Sequence, residues 1–402
     1  MLIDPIPEGS LTTPLGYLAG AVSAGIKTKP GALDLCLLYS ERETVAAGVF
    51  TQSLVKGASV ILSQERVADG RLRAVVVNSG CANALNGPGG LEDALRMTAL
   101  AAEKLDLDPD EVAVASTGVT GVRLPMAKIE AALPSLTLWR EGGGAFAAAI
   151  MTTDTFAKEC AFGVRDSAGV YSIGGCAKGV GMIHPNMATM LAYVTTDAAV
   201  EAGLLREVVR EVADETFNML TIDGDTSCSD TLLVLANGAA GLPPVEAGTP
   251  RAAELREALR AVCLQLTRML ARDGEGAKRL IEVEVRRAVS LADARLIART
   301  IASSPLVKTA VAGADPNWGR ILVAAGRAGG TLDLAKLDLR LQGELIFAAG
   351  APLPFDDAAL SARLDSDEVR IGLDLGLGEA GAKAWGCDLT TDYVHINADY
   401  RT

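Results

Sequence analysis

The run KGVGMIHPNMATMLAYVTTDA, Lys178 to Ala198, holds the residues of this chain best suited to covalent chemistry. Its first half is rich in glycine and carries Pro185, so it cannot continue as a regular helix. Its second half, Met190 to Thr196, is an apolar run of the kind that forms a buried strand. Thr189 stands at the junction, behind the small Ala188. From spacing alone, a plain loop entering a core strand is the simpler reading. The chemical reading is more specific. A threonine hydroxyl held in a strained turn can attack the carbonyl before it and shift the Ala188–Thr189 link from amide to ester. Hydrolysis then frees a new N-terminus at Thr189. Its α-amine has an ordinary pKa of ~7.7–8.0, against ~10.4 for lysine, so it can act as base toward its own hydroxyl near neutral pH. Branching at Cβ restricts χ1 and holds Oγ in one direction.

That base matters because histidine is scarce. The chain has 2 histidines, His184 and His395. A zinc site built on several imidazoles is excluded on that ground, and no metal is expected. The G-x-S-x-G pattern of a hydrolase elbow is absent as well. An acyl-transfer enzyme of this composition needs a base other than histidine. It also needs donors for an oxyanion. The run VASTGVTG, Val114 to Gly121, places Ser116, Thr117 and Gly118 at the end of a predicted strand. Glycine there lets the backbone turn an N–H outward beside the Thr117 hydroxyl. Each such donor is worth roughly 2.7–4 kcal/mol in a transition state. Taken alone, the segment also fits an ordinary strand-ending turn.

These groups must be held by a mixed frame of strands and helices. The pattern predicts strands at Leu33–Tyr39, Thr44–Phe50, Leu72–Asn78, Glu111–Ser116, Tyr171–Cys176, Leu191–Thr195, Thr231–Ala236, Leu280–Val285 and Val307–Ala312. It predicts helices at Leu91–Leu105, Gly143–Met151, Ala199–Thr216, Arg251–Arg272 and Leu291–Ser303. In Arg251–Arg272, Leu255, Leu259, Val262, Leu266 and Leu270 lay one apolar stripe. Ser290 is placed to cap the helix that follows it. The fold class is α/β (α+β). Gly376-x-Gly378-x-x-Gly381 matches a dinucleotide fingerprint by spelling, but no helix opens behind it. It reads as a hairpin loop between Asp367–Leu375 and Ala382–Leu389.

Composition narrows the partners. A chain of 402 residues with 49% hydrophobic content can bury one large core or two medium ones. The net charge of -13 argues against nucleic acid and anionic membrane, which want clustered Lys and Arg. With aromatics at 4%, base-stacking platforms are also disfavoured. The acidic opening MLIDPIPEGS does not read as a signal peptide, and no run approaches the roughly 18 apolar residues of a membrane span. The 7 cysteines are odd in number, widely spaced and without a C-x-x-C pair, which is the usage of buried free thiols in the cytoplasm.

The run Lys178–Leu191 is similar to the processing-site signature of the ornithine acetyltransferase family, also called bifunctional glutamate N-acetyltransferase. VVVNSGCANA (Val75–Ala84), STGVTG (Ser116–Gly121), MTTDTF (Met151–Phe156), DGDTSCSD (Asp223–Asp230), DGEGAK (Asp273–Lys278), SSPLVKTAVAGADPNWGR (Ser303–Arg320), AWGCDLT (Ala384–Thr390) and INADYRT (Ile396–Thr402) resemble it in order, across essentially the whole chain. The resemblance implies a self-processed N-terminal-nucleophile fold of sheets layered with helices. It implies cleavage between Ala188 and Thr189 into an α chain (1–188) and a β chain (189–402), held together as α2β2. The implied reaction moves acetyl from N2-acetylornithine to glutamate in arginine biosynthesis, with no cofactor and with acetyl-CoA as a further donor in some members. Thr189 falls on the nucleophile, Thr117 and Gly118 on the oxyanion donors, and Thr155, Lys178, Thr189, Glu275, Asn397 and Thr402 on the substrate contacts.

Each implied role has a chemical sense. Lys178 suits a substrate α-carboxylate, Glu275 suits a cation, and Asn397 and Thr402 offer hydrogen bonds from a C-terminal tail. Val180 departs from the family's usual serine, and Cys81 and Cys228 from its usual Asn or Thr. Asp154, Asp223 and Asp225 are read as turn and cap residues, and Asn317–Arg320 as a packing corner. A related self-processing aminopeptidase or amidase, with water as acceptor, is the alternative within the same nucleophile chemistry.

Overall fold

The computed structural model describes residues 1–184 and 190–399. Among these, the strands assemble into three sheets. The first runs from edge to edge as β1 (Leu2–Pro5), β7 (Lys158–Arg165), β8 (Val170–Lys178), β9 (Leu191–Thr196), β10 (Thr231–Ala236) and β4 (Val45–Phe50). The second is β2 (Tyr17–Val22), β3 (Leu35–Ser40), β5 (Ala74–Cys81) and β6 (Val112–Val119). The third is β14 (Ala351–Pro352), β13 (Glu344–Ala348), β12 (Asp338–Leu341), β15 (Glu368–Asp374), β11 (Leu280–Ala288) and β16 (Ala380–Cys387).

β9–β10 in the first sheet and β5–β6 in the second are parallel pairs. Every residue of β9 and of β10 is buried, which explains why both read as continuous apolar runs rather than alternating ones. Cys36, Leu38, Val75, Val77 and Ala115 of the second sheet face Cys176, Leu191, Tyr193, Leu233 and Leu235 of the first, with Phe146 wedged between them. Val76 and Val114 turn the other way, onto Leu62, Ala94 and Met97 of the helices Ala58–Arg66 and Gly87–Leu105. On the far side of the first sheet, Ala192, Val194 and Val234 pack against the helices Ala202–Glu215 and Pro250–Arg272. The order is helix, sheet, sheet, helix, with the third sheet continuing the same core.

The expected α/β class is the one found, and so is the stripe of Arg251–Arg272, where Leu255, Leu259, Val262, Leu266 and Leu270 are all buried. The Ser290 hydroxyl accepts from the Asp293 N–H and caps Leu291–Ala302, as expected. Asn317 caps Trp318–Gly326, and Trp318 packs on the Phe347 ring at 5.7 Å, a packing corner as read.

Two expectations are corrected. Val307–Ala312 is not a strand but part of the helix Pro305–Ala312. Pro305 stands at its first turn, and Val307, Ala310 and Val311 recur at helical rather than alternating spacing on its buried side. The loop between β15 and β16 is not a hairpin. β11 lies between those strands, parallel to β15 and antiparallel to β16, so the Gly376–Gly381 segment crosses over its end. The segment leads straight into β16, with no helix opening behind it.

Candidate active site

The ends of β6 and β8 and the loop before β10 meet at one pocket of about 120 Å³. Thr117 and Gly118 of β6 form one wall, with Lys178 at the end of β8 beside them. The loop before β10 supplies Asp223, Asp225 and Cys228. Glu275, just past the long helix Pro250–Arg272, and Tyr393 and Asn397 of the last helix, Thr391–Asp399, close the opposite side.

β6 ends in an irregularity that shapes the first wall. Cys81 pairs with both Thr117 and Val119, so the β5–β6 register slips there. Gly118 sits at φ 126°, and a Cβ on it would meet the Gly80 carbonyl carbon at 2.4 Å. Only glycine allows this backbone approach. Thr117 is 3% exposed, and its hydroxyl accepts a hydrogen bond from Lys178 Nζ at 2.9 Å.

Lys178 is equally buried and also donates to the Thr152 hydroxyl at 3.1 Å. Among the described residues no carboxylate lies within ion-pair distance of it. Burial pulls its pKa below the ordinary lysine value, opposed by the field of Asp154 and reinforced by Lys158. A buried ammonium whose partners among the described residues are neutral hydroxyls retains affinity for an anion entering the pocket.

Across the pocket, Glu275 accepts from the Thr153 hydroxyl at 2.9 Å and from Asn397 Nδ2 at 2.8 Å. Its backbone N–H bonds the Val180 carbonyl at 2.8 Å, which joins the long helix to the loop after β8. A Cβ on Gly181 would meet both carboxylate oxygens of Glu275, at 2.5 and 2.9 Å. Asp223 accepts from the Met182 and Ile183 N–H groups, at 2.5 and 2.9 Å, and from the Tyr393 hydroxyl at 3.4 Å. Burial raises its pKa above the usual carboxylate value. Asp223 thus has the structural role expected of it and faces the pocket as well.

The structure therefore gathers Thr117, Gly118, Lys178, Glu275 and Asn397 around one cavity. Thr155 is outside the lining. Its N–H bonds Asp273 Oδ2 at 3.0 Å, its hydroxyl bonds the same carboxylate, and Thr152 and Thr153 take the places on the wall. Ala188, Thr189 and Thr402 lie outside the described residues. Of the three departures from family usage, Val180 and Cys228 line the pocket, whereas Cys81 turns its thiol to the Val122 carbonyl.

Beneath the site, Lys158 lies between two carboxylates, at 2.7 Å from Asp154 and 2.6 Å from Asp273, and is fully buried. Asp154 also accepts from the Gly179 N–H at 2.9 Å, which fixes the chain just beyond Lys178. Sequence reasoning gives Asp154 a structural role and does not single out Lys158 or Asp273. The MTTDTF and DGEGAK runs that hold or adjoin them carry charges a few positions apart, but nothing in the spelling brings the two runs together.

No helix among the described residues is long and apolar enough to cross a membrane. All seven cysteines are unpaired, five of them buried and Cys160 and Cys228 partly exposed.

Comparison with known proteins gives the context. The ArgJ family's sequence model matches residues 18–402. The arginine biosynthesis bifunctional protein ArgJ of Dehalococcoides mccartyi is 51% identical over 401 residues, covering 100% of this chain and 99% of that protein. Its counterpart in Symbiobacterium thermophilum is 50% identical over 397 residues, covering 98% and 99%. The crystal structure of arginine biosynthesis bifunctional protein argJ from Bacillus halodurans is 42% identical with a TM-score of 0.51. The match covers 52% of this chain and 98% of that one.

Proposed function

The chain belongs to the ArgJ family, and we propose that it carries acetyl from N2-acetylornithine to glutamate through an ester on Thr189. It is an acyltransferase of arginine biosynthesis. The observation that carries the substrate reading is the polarity of the pocket. One wall holds an ammonium, Lys178, with no carboxylate partner among the described residues, and the other holds the carboxylates of Glu275, Asp223 and Asp225. An acetylated diamino acid has the complementary pattern, an α-carboxylate at one end and a side-chain ammonium at the other.

The chemistry follows from that orientation. The chain first cleaves itself between Ala188 and Thr189, releasing the α-amine that serves as base. Thr189 Oγ then passes its proton to this amine and attacks the acetyl carbonyl. The Thr117 hydroxyl and the Gly118 N–H hold the oxyanion, while Lys178 polarises Thr117 from behind. Ornithine leaves with the proton, and acetyl-Thr189 remains. The α-amine of glutamate attacks the ester by the reverse steps, so the kinetics are ping-pong. Nucleophile, base and oxyanion donors all come from the chain, so the reaction as written needs no cofactor. Acetyl-CoA is a second donor if glutamate-dependent thiol release is seen.

The cut yields pieces 1–188 and 189–402 that stay together, as α2β2, in the cytoplasm. The solved Bacillus halodurans chain is matched over nearly all its length by about half of this one, which supports a relative in two pieces. Intact-mass spectrometry tests the proposal. Wild type should give two fragments meeting at Ala188/Thr189, and Thr189→Ala one chain of 41.5 kDa without transferase activity. An uncut, active wild type would overturn it. Free acetate in place of N-acetylglutamate would identify the amidase alternative.

A further inference from the structure

Asp230 lies at the foot of β10, fully buried, directly across the parallel ladder from Met190. Its Oδ1 accepts the Met190 N–H at 3.1 Å, and the Thr231 N–H returns a bond to the Met190 carbonyl at 3.0 Å. Its own carbonyl accepts the Thr51 N–H at 3.0 Å. Oδ2 is buried and has no hydrogen-bond partner among the described residues. The nearby Thr51 hydroxyl has its proton committed to the Ser227 carbonyl at 2.7 Å. A buried carboxyl oxygen left without a donor is costly, by roughly 1–3 kcal/mol, and calls for an explanation.

We infer that Asp230 is a positioning residue for the nucleophile: it fixes the first residue after Thr189 and offers its spare oxygen to the amine that cleavage releases. The inference rests on the self-cleavage proposed above. Bond lengths alone keep the nitrogens of neighbouring residues within about 3.7 Å of each other. The Met190 N–H is itself bonded to Asp230 Oδ1, and the amine that a cut would free belongs to the residue directly before Met190 in the chain. Before the cut that nitrogen is an amide and carries no charge. Burial then pushes the Asp230 pKa well up, with Cys228 adding to the rise and Lys178, on β8, opposing it. Of the ionisable side chains among the described residues, these two act on Asp230 most strongly, the Met190 N–H and Thr51 also favour its charged form, and β4, on the other side of β10, carries no ionisable side chain.

After the cut the situation changes. When Thr189 Oγ–H gives its proton to the α-amine, an ammonium forms beside a carboxylate. That pairing favours the protonated amine and strengthens it as a base. The proton goes on to the leaving amine, so Asp230 ends each half-reaction as it began.

The test compares wild type with Asp230→Asn, Asp230→Ala and Asp230→Glu, by intact mass and by the pH profile of N-acetylglutamate formation. Asn keeps an acceptor for the Met190 N–H and removes the charge. It should therefore cut like wild type, lose about tenfold in kcat, and show an acid limb about one pH unit lower. Glu keeps the charge and should keep the limb in place. Ala loses both functions and should cut about tenfold more slowly. A folded Asp230→Asn chain that never cuts, or one that cuts with the limb unmoved, overturns the inference. Wild type that does not cut at Thr189 instead refutes the reading beneath it, so the two failures are distinguishable.

Discussion

Lys178 Nζ stands 2.9 Å from the Thr117 hydroxyl oxygen and donates to it, on one wall of the pocket. A hydroxyl that accepts from an ammonium turns its own proton away, toward the pocket, and that proton is more acidic for the contact. In the reaction proposed above, lysine and threonine would act in series, with Lys178 serving both a substrate carboxylate and the oxyanion donor.

Replacing Lys178 separates activity from stability. Lys178→Met should lower kcat/KM for transfer by about 10²–10³-fold, the range for losing one oxyanion donor. The fold should not suffer equally. Burial lowers the Lys178 pKa, so its charge opposes folding at pH values below that lowered pKa, and the penalty fades as pH rises through it. Thermal melts near neutral pH should show the Lys178→Met variant at least as stable as wild type. A large fall in melting temperature would contradict this.

Gly181 gives a way to move Glu275 without touching it. The atoms that a Cβ at 181 would strike all belong to the Glu275 carboxyl group, the end of a flexible side chain. Gly181→Ala should therefore displace the carboxylate and break its bonds to Thr153 and Asn397. The expected result is a KM for acetylornithine raised about tenfold, on the order of one charge-assisted hydrogen bond, with stability within about 1 kcal/mol. Steady-state kinetics and a urea melt check both halves.

The buried set Asp154–Lys158–Asp273 should be the least tolerant of change. Lys158→Met leaves two buried carboxylates without their cation, at a cost of about 3–5 kcal/mol. The pH dependence has a definite sign. Burial pushes Asp154 up, but Lys178, Lys158 and the Gly179 N–H outweigh it and hold its pKa below the ordinary value. Its contribution to stability is complete above an unfolded pKa of ~3.9 and is lost as pH falls through the lower folded value. Without Lys158 the acid unfolding midpoint should move to higher pH, measured by circular dichroism at fixed temperature.

The last helix closes the pocket through Asn397 and Tyr393. An acetyl ester must be kept from water while glutamate is awaited. Deleting residues 398–402 should raise the yield of free acetate relative to N-acetylglutamate, read by separating the two products. Unchanged partitioning would show that the tail has no such role.

Much of this arrangement is legible in the chain because its central strands are continuous apolar runs. Leu191–Thr195 and Thr231–Ala236 fall nearly to the residue where the pattern puts them, since both faces of these strands are buried. Val307–Ala312 misleads for the same reason: a short apolar run has no period of its own, and Pro305 before it is the better guide. The crossing between β15 and β16 is hidden because β11 enters between them from about eighty residues earlier, a purely tertiary fact. In the site, Thr117 and Gly118 are legible from the strand-ending VASTGVTG run, Lys178, Glu275 and Asn397 come from family resemblance, and the structure draws all five to one cavity. Nothing in the sequence singles out Thr152, Thr153 or Asp230. A threonine on a loop and an aspartate at a strand's start look ordinary until their partners are known.

The interleaving of the first sheet has a consequence for the protein after a cut before Thr189. β9 and β10 would then belong to one polypeptide, yet they lie between β8 and β4 of the other, hydrogen-bonded on both flanks. The halves would be woven rather than docked, and parting them would mean tearing two ladders in the centre of the core. Unfolding would release two molecules where folding began with one. Reassembly from denaturant would become a second-order event, its midpoint rising with protein concentration, although the same chain before the cut folds alone.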